Sequence, residues 1–420
     1  MTMKNKIKNS CINEFDPTAL SIENARNRIL KTIKSSTKVE KIKLKNSLGR
    51  IISKDIKSRI NIPSFKNSAM DGYALNISHL SEKTNMSLKE VGISYAGKPY
   101  RNNLKKGETV RVMTGAVIPN NSNAVVMKEM IKVIDENIKF PKNIKKNQNI
   151  RFIGEDVKKS SIIIKKGKRI NYIYLGILSS AGIEYVDVVK KPIISFFSTG
   201  DELISIKRKL KKGQIYDSNR YLLYGLLSEL PVSIKDMGVV KDNKNDITKK
   251  FIQCSKISDL IITTGGVSVG DADYIREVLD KIGEINFWKI SIKPGRPLAY
   301  GKIKKTSFFG LPGNPVSTVI TFQLFVIPAI EKMMSSEIKN KLFINAITKT
   351  SLSKKKGRVE YKRALLTQTK NKVFVETTGL QGSNILTSLA KANCYIKLSA
   401  NINKVKKGDI VKVLPFMNNL

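Results

Sequence analysis

Apolar and polar positions fall into three textures along the chain. Ile22, Ala25, Ile29, Leu30 and Ile33 recur at helical spacing behind Ser21, whose hydroxyl suits an N-cap, and predict a helix. From Pro63 to about position 150 the apolar runs are short (SAMDGYAL, KKGETVRVMTG, NAVVMKE, VIDENIKFP) and broken by Gly, Pro and Asn, as in a small β-rich domain. Tyr172 to Ala181 reads as a second helix closed by Gly182, and Tyr185 to Val189 as a strand. Between 192 and 332 the texture alternates. Strands are expected at 192–198, 232–240, 259–264, 285–292 and 307–311, with helices at 219–230, 246–254, 271–281 and a long one at 314–333. Such alternation predicts a parallel sheet with helices on both faces. Beyond about 340, EYKRALL, KVFVETT, NCYIKLS and DIVKVLPF alternate apolar and polar positions and predict a small barrel or sandwich.

Charge changes this picture less than its size suggests. The chain of 420 residues carries 76 Lys and Arg against 34 Asp and Glu, a formal +42. Lysine supplies 62 of the 76, spread at four to nine per fifty residues, and arginine only 14. Nucleic-acid readers lean on the bidentate arginine fork, so the excess reads as a solvated surface with no specific nucleic acid. Cys11, Cys254 and Cys394 are too far apart for a disulfide framework or a zinc site, which suits a reducing compartment. The single histidine, His79, lies in polar NISHLSEK and is expected on the surface. One histidine excludes a Ser-His-Asp triad and multi-His metal centres. The N-terminus has no apolar core of a signal peptide. Phe308 to Ile330 is uncharged for 23 residues but holds Pro312, Pro315 and Pro328, so it reads as strand, loop and buried helix. A soluble cytoplasmic protein, free of membrane, is expected.

In an open α/β sheet, ligands bind outside the carboxyl ends of the strands. Each conspicuous loop of the 192–332 region follows a predicted strand: Thr199-Gly200-Asp201-Glu202, then Gly265-Gly266-Val267-Ser268-Val269-Gly270-Asp271-Ala272-Asp273, then Lys293-Pro294-Gly295-Arg296-Pro297, then Pro312-Gly313-Asn314-Pro315-Val316-Ser317. All four are expected on one rim. Small residues in the second loop leave backbone N–H groups open to an anion, and Ser268 adds a hydroxyl. Lys289, Lys293 and Arg296 bring positive charge; Asp201, Glu202, Asp217 and Asp273 bring carboxylates. This mixture suits a phosphate ester with Mg²⁺. Outside that region, Asp71 in SAMDGYA, Thr114-Gly115-Ala116, and Arg151 with Gly154-Glu155-Asp156 form further clusters.

Set side by side, SAMDGYA (68–74), RVMTGAVIP (111–119), NIRFIGED (149–156), STGDEL (198–203), IYDSNR (215–220), DLIITTGGVSVGDADY (259–274), FWKISIKPGRP (287–297), GLPGNPVS (310–317) and TTGLQGSN (377–384) resemble the molybdopterin molybdotransferase family, the MoeA and gephyrin E-domain group. The resemblance implies a multidomain α/β protein. It would have a split helical domain (15–60 and 150–190), an inserted β-rich domain (61–149), a molybdopterin-binding α/β domain (191–337) and a C-terminal β-barrel domain (338–420). It also implies a homodimer whose cleft lies between the α/β domain of one copy and the inserted domain of the other, which accounts for the Asp71 and Thr114 clusters. Contact with a molybdopterin adenylyltransferase fits the same picture. The implied reaction takes adenylylated molybdopterin and molybdate, and releases AMP in an Mg²⁺-dependent step. Cleaving an anhydride at phosphorus is mostly positioning and charge neutralisation, so no histidine is required.

On that resemblance Asp71, Glu202 and Asp273 are expected at the metal and phosphate centre, with Asp217, Asp156 and Thr114 beside them. Lys289, Lys293 and Ser268 would hold pterin phosphate or anhydride, lined by Gly265, Gly266, Gly270, Pro312, Gly313 and Asn314. Molybdate would meet Lys293 or Arg296, Ser317, Arg358 and Ser383. The chain departs from the family pattern at Arg296, where Lys is common, at Asn123, where an acid precedes AVV, and at Ser160 or Ser161, where Gly follows GED. Three rivals are disfavoured. The adenylyltransferase lacks the SAMDGYA and C-terminal β regions, a clustering scaffold would not need the intact carboxylates, and a nucleic-acid binder would need more arginine.

Overall fold

The computed structural model describes residues 16, 18–80, 86–266, 274–338 and 341–416. Two compact units emerge, one of Lys41–Leu48 with Lys54–Asp187, the other of Met1–Glu40, Gly49–Ser53 and Val188–Leu420. Helix α1 (Ile22–Thr32) opens the latter, capped by the Ser21 hydroxyl, which accepts the Asn24 N–H at 3.1 Å.

The smaller unit is built on a six-stranded sheet of β1 (Gly72–Leu75), β2 (Ser87–Ser94), β3 (Glu108–Val112), β4 (Ala124–Met127), β5 (Lys132–Ile134) and β6 (Asn137–Lys139), in the order β4-β1-β3-β2-β6-β5. β1 is buried throughout because it is paired along both edges and packed on both faces. Tyr73, Leu75, Val126, Ile138 and Phe140 pack one face and Ala74, Val110, Val112 and Val125 the other. Helix α2 (Tyr172–Ser180) follows, closed by Gly182 at φ +68°. His79 is half-buried rather than on the surface, because Asn76 caps a short 3₁₀ turn that folds it inward.

In the larger unit β7 (Ile193–Thr199), α3 (Ser218–Ser228), β8 (Ser233–Val240), α4 (Lys244–Ile257), β9 (Leu260–Thr264), α5 (Tyr274–Ile282), β10 (Glu284–Lys289), β11 (Pro297–Ile303) and β12 (Thr306–Leu311) form an α/β layer with sheet order β8-β7-β9-β12-β11-β10. The central strands are buried on both faces, which explains runs such as Ile-Ile-Ser-Phe-Phe without alternation. The sheet is mixed, not wholly parallel: β11 runs antiparallel to β12 and to β10. Its sequence, PLAYGKI, opens with Pro and contains Gly301, and so conceals a strand. A Cβ at Gly301 would lie 2.1 Å from the Glu284 carbonyl, so glycine is what lets β10 pair closely there. α1 shares the core of this layer, with Ala25 and Ile29 packed among Phe196, Ile262 and Phe309.

The expected long helix is α6 (Pro315–Thr321) and α7 (Ile327–Met333), joined by a π turn at Phe322–Val326. Pro328 has no N–H to continue an ordinary ladder, and the wider turn lets the Ile327 N–H reach the Phe322 carbonyl. Most of Pro315–Met333 is buried in this unit, as expected of a core helix. The C-terminal strands β13 (Ile344–Thr348), β14 (Val359–Thr369), β15 (Lys372–Thr377), β16 (Cys394–Leu398) and β17 (Ile410–Pro415) close into a five-stranded barrel, since β14 pairs with both β15 and β16. Ile292–Lys293 adds to its edge through β14, so the end of the 285–292 run leaves the sheet for the barrel. Cys254 and Cys394 are buried and free; Cys11 lies outside the described residues.

Candidate active site

Because β10 is antiparallel to an antiparallel strand, it points the same way as β7, β9 and β12. The four expected loops therefore leave the sheet at one end. Gly265 is the pivot. It holds φ +83°, and a Cβ there would lie 2.3 Å from the Thr199 carbonyl, so the turn after β9 presses onto the end of β7. On its other side a Cβ at Gly313 would lie 3.6 Å from Gly265 Cα. The Gly313 carbonyl accepts the Asn219 side-chain N–H at 2.6 Å, which brings α3 to the same point. Pro312 is tied by its carbonyl to the Thr318 hydroxyl at 2.6 Å, and Asn314 is exposed at the start of α6. Gly266 continues the turn; Ser268, Gly270 and Asp273 lie outside the described residues.

Carboxylates collect beside this pivot. Glu202 folds its side chain over Gly200, where a Cβ would lie 2.7 Å from its Oε2. Asp201 accepts the Asp242 N–H at 3.2 Å. Nothing in the sequence marks Asp242. Burial raises its pKa above the ordinary carboxylate value, and the charges of Asp201 and Glu202 raise it further. It stands just past β8, whose loop carries no glycine motif. Asp217 is buried, with one oxygen capping α3 through the Arg220 N–H at 3.1 Å. Its Oδ2 has no hydrogen-bond partner among the described residues. Among the described residues no group of three Asp, Glu, Cys or His side chains is arranged to hold a metal.

The cations are held differently from one another. Arg296 is buried and donates to Asp16 at 2.6 Å, while Lys289 lies 3.6 Å from the same oxygen. Burial alone would raise the pKa of Asp16, but two hydrogen bonds from Thr18, with Arg296 and Lys289, hold it well below the usual range. Arg296 is therefore tied to the N-terminal segment and does not project as a free anion ligand. Lys293 is half-exposed, 3.6 Å from the buried Glu360, which also meets Lys362 at 3.1 Å. Ser317 is buried behind Gly295. Ser383 reaches the start of α6, its carbonyl accepting the Val316 N–H at 3.1 Å. Arg358 stands just before β14, beside the pairing with Ile292–Lys293. The loop carrying Ser383 is instead organised by buried Arg363, which donates to the carbonyls of Leu380, Gln381 and Gly382.

In the smaller unit the structure joins two motifs separated by 43 residues. The backbone N–H and the hydroxyl of Thr114 both donate to Asp71 Oδ1 at 2.8 Å. These two bonds hold the Asp71 carboxyl below its ordinary pKa. Replacing Thr114 by valine is expected to raise the Asp71 pKa only part of the way back, because the backbone donor remains; carboxyl-carbon NMR titration measures it. Asp156 is exposed on the loop that follows Arg151, and Arg151 pairs with Asn67 beside SAMDGYA. Asn123 accepts the Ile77 N–H and donates to Asn76, and Ser160 takes φ +69°, a glycine-like conformation. The change at Asn123 thus has a local structural use, whereas Ser160 holds a backbone conformation that glycine adopts more readily.

Three family profiles match: the MoeA N-terminal region (domain I and II) over residues 20–182, a "probable molybdopterin binding domain" over 195–332, and the MoeA C-terminal region (domain IV) over 345–416. The molybdopterin molybdenumtransferase of Haemophilus influenzae is 40% identical over 400 residues, covering 94% of this chain and 98% of that protein. That of Bacillus subtilis is 30% identical over 405 residues, covering 94% of each. The crystal structure of the molybdopterin biosynthesis moeA protein from Pyrococcus horikoshii OT3 superposes with a TM-score of 0.82 at 28% identity, over 95% of this chain and 100% of that one.

Proposed function

The chain belongs to the molybdopterin molybdenumtransferase family, enzymes of molybdenum cofactor biosynthesis, and from that premise we propose that it inserts molybdate into adenylylated molybdopterin with Mg²⁺-dependent release of AMP. The observation that carries the reading is the crowding of Asp201, Glu202 and Asp242 beside the Gly265–Gly313 contact. Asp201 and Glu202 add to the burial that raises the Asp242 pKa, so negative charge is concentrated at an anion-accepting rim, and a cation entering with the substrate would offset it.

The donors suit Mg²⁺ in kind. They are all carboxylate oxygens, and the repulsion recorded at Asp242 is what a hard dication would relieve. Glu202 and Asp273 would hold it, with Asp71 contributed by a second copy of the chain in a homodimer. When bound, the ion supplies charge neutralisation at the phosphoanhydride. Thr114 fixes the Asp71 carboxylate as an ionised acceptor, and Asp217 and Asp156 support the acidic side. Ser268, Gly270 and the backbone at Gly265 and Gly266 would cradle phosphate, and Lys289 would add charge held in place by Asp16. Molybdate, the metal-bearing substrate, would meet Lys293, Ser317, Ser383 and Arg358. Arg296 acts by positioning the loop that carries Lys293. A cytoplasmic location and contact with the adenylyltransferase that supplies the substrate complete the reading.

Purified protein incubated with adenylylated molybdopterin, Mg²⁺ and molybdate is expected to release AMP, followed by chromatography, and to lose that release when Mg²⁺ is omitted. AMP release unchanged without the divalent ion would refute the metal assignment, and none in the complete mixture would refute the reaction.

A further inference from the structure

At the other end of the same sheet, where the strands begin, lies a cavity of about 600 Å³. Strands of this length set it about 20 Å from the rim described above. Three separate stretches of chain deliver lysines to its wall. Lys34 and Lys38 follow α1, and Lys190 and Lys191 precede β7. Lys302, Lys304 and Lys305 stand on the hairpin between β11 and β12. One carboxylate, Asp259, lines the cavity, and its Oδ2 already accepts the Ile193 N–H at 2.8 Å. None of the seven lysines forms an ion pair among the described residues.

The lysine-rich composition does not account for this wall by itself. Lysine is 62 of 420 residues in the chain but seven of the twenty that line the cavity. Eight of the others carry hydroxyls, among them Ser35, Thr37 and Ser258, which can donate to an anion as lysines do. No aromatic side chain lines the space, so nothing there would stack a nucleobase. Like charges held around one concavity repel each other, and a multiply charged anion of matching size converts that repulsion into binding. We propose that this cavity binds a compact oligophosphate, gripped by Lys190 and Lys191 on one side and by Lys304 and Lys305 on the other. The site is separate from the rim where the pterin substrate is handled.

Isothermal titration calorimetry with inorganic triphosphate, in about 0.15 M salt to suppress diffuse attraction, tests it. Three full-length proteins are compared: the parent, K304Q/K305Q, and K105Q/K106Q, which loses the same charge in the other unit. The expected result is saturable binding by the parent, unchanged in K105Q/K106Q and at least about tenfold weaker in K304Q/K305Q, given the strength of charge-assisted contacts. Thermal unfolding checks that both variants are folded. Equal affinity in all three proteins would place triphosphate at the rim or nowhere in particular, and no binding by the parent would remove the site; either overturns the proposal.

Discussion

Replacing Glu202 by glutamine is expected to cut AMP release at least about a hundredfold, while the protein unfolds at the same temperature or slightly higher. The substitution preserves shape and removes one charge. Glu202 lies exposed over Gly200 and holds its place through the backbone, its carbonyl accepting the Ile215 N–H at 2.9 Å, so folding does not depend on its carboxylate. The charge has instead an electrostatic cost, since it helps to raise the pKa of Asp242 after the larger effect of burial. A carboxyl whose pKa is higher folded than unfolded makes the folded state bind protons more tightly, so stability falls as pH rises from the unfolded value through the folded one. Neutralising Glu202 lowers the Asp242 pKa towards ordinary and flattens that fall. Single-turnover AMP release, with thermal melts between pH 4 and about 7, reads both quantities. Turnover near that of the parent would remove Glu202 from the centre. A lower melting temperature would make it structural.

The pattern that places Glu202 at a strand end does not show what its charge costs, and the rest of the chain divides along the same line. Buried strands were legible because a strand covered on both faces carries no charge and does not alternate, as in Leu260–Thr264, where Leu-Ile-Ile runs into two buried threonines. β11 was not, because glycine and proline usually interrupt strands, and only the partner strand shows why Gly301 is needed. The rim was legible because ligand loops follow strand ends, and the rule survived the reversal of β11 because β10 reverses again. Asp242 also follows a strand end, but its loop lacks the glycines that draw attention to the others.

Charge was the least legible property. Arg296 and Lys293 stand three residues apart with the same sign. Yet Arg296 is buried against Asp16 and Lys293 is half in solvent, and nothing in the segment Asn13-Glu14-Phe15-Asp16 marks Asp16 as the partner. Asp71 and Thr114 stand in separate short motifs, and the direct contact between them appears only in the two hydrogen bonds that close a gap of 43 residues. In the barrel the sequence drew attention to Arg358, yet the stronger signal was two turns of alternation further on. Tyr361 and Arg363 share one face of β14, so an arginine stands where the pattern calls for an apolar residue.

Replacing Arg363 by methionine is accordingly expected to destabilise the protein by about 3 kcal/mol and to weaken its use of molybdate. The guanidinium is almost wholly buried and donates to Ser388 Oγ at 2.9 Å and to the carbonyls of Leu380, Gln381 and Gly382 at 3.0 to 3.1 Å. Methionine fills much of the volume but supplies no donor, so several acceptors lose their partners together. Lysine restores the charge but not the fork that spans three carbonyls, and is expected to recover only part of the loss. The loop so held carries Ser383, whose carbonyl meets the Val316 N–H at the head of α6, so its release moves Ser383 away from Ser317. Arg363 is therefore a positioning residue, and its removal should raise the KM for molybdate more than it lowers kcat. Arg358→Met, which leaves the Arg363 hydrogen bonds in place, provides the contrast: a similar change in KM with a smaller change in the denaturant midpoint. Should Arg363→Met unfold at the parent's midpoint, the loop does not depend on it. Should kcat fall with KM unchanged, the loop serves the chemical step and not the capture of the oxyanion.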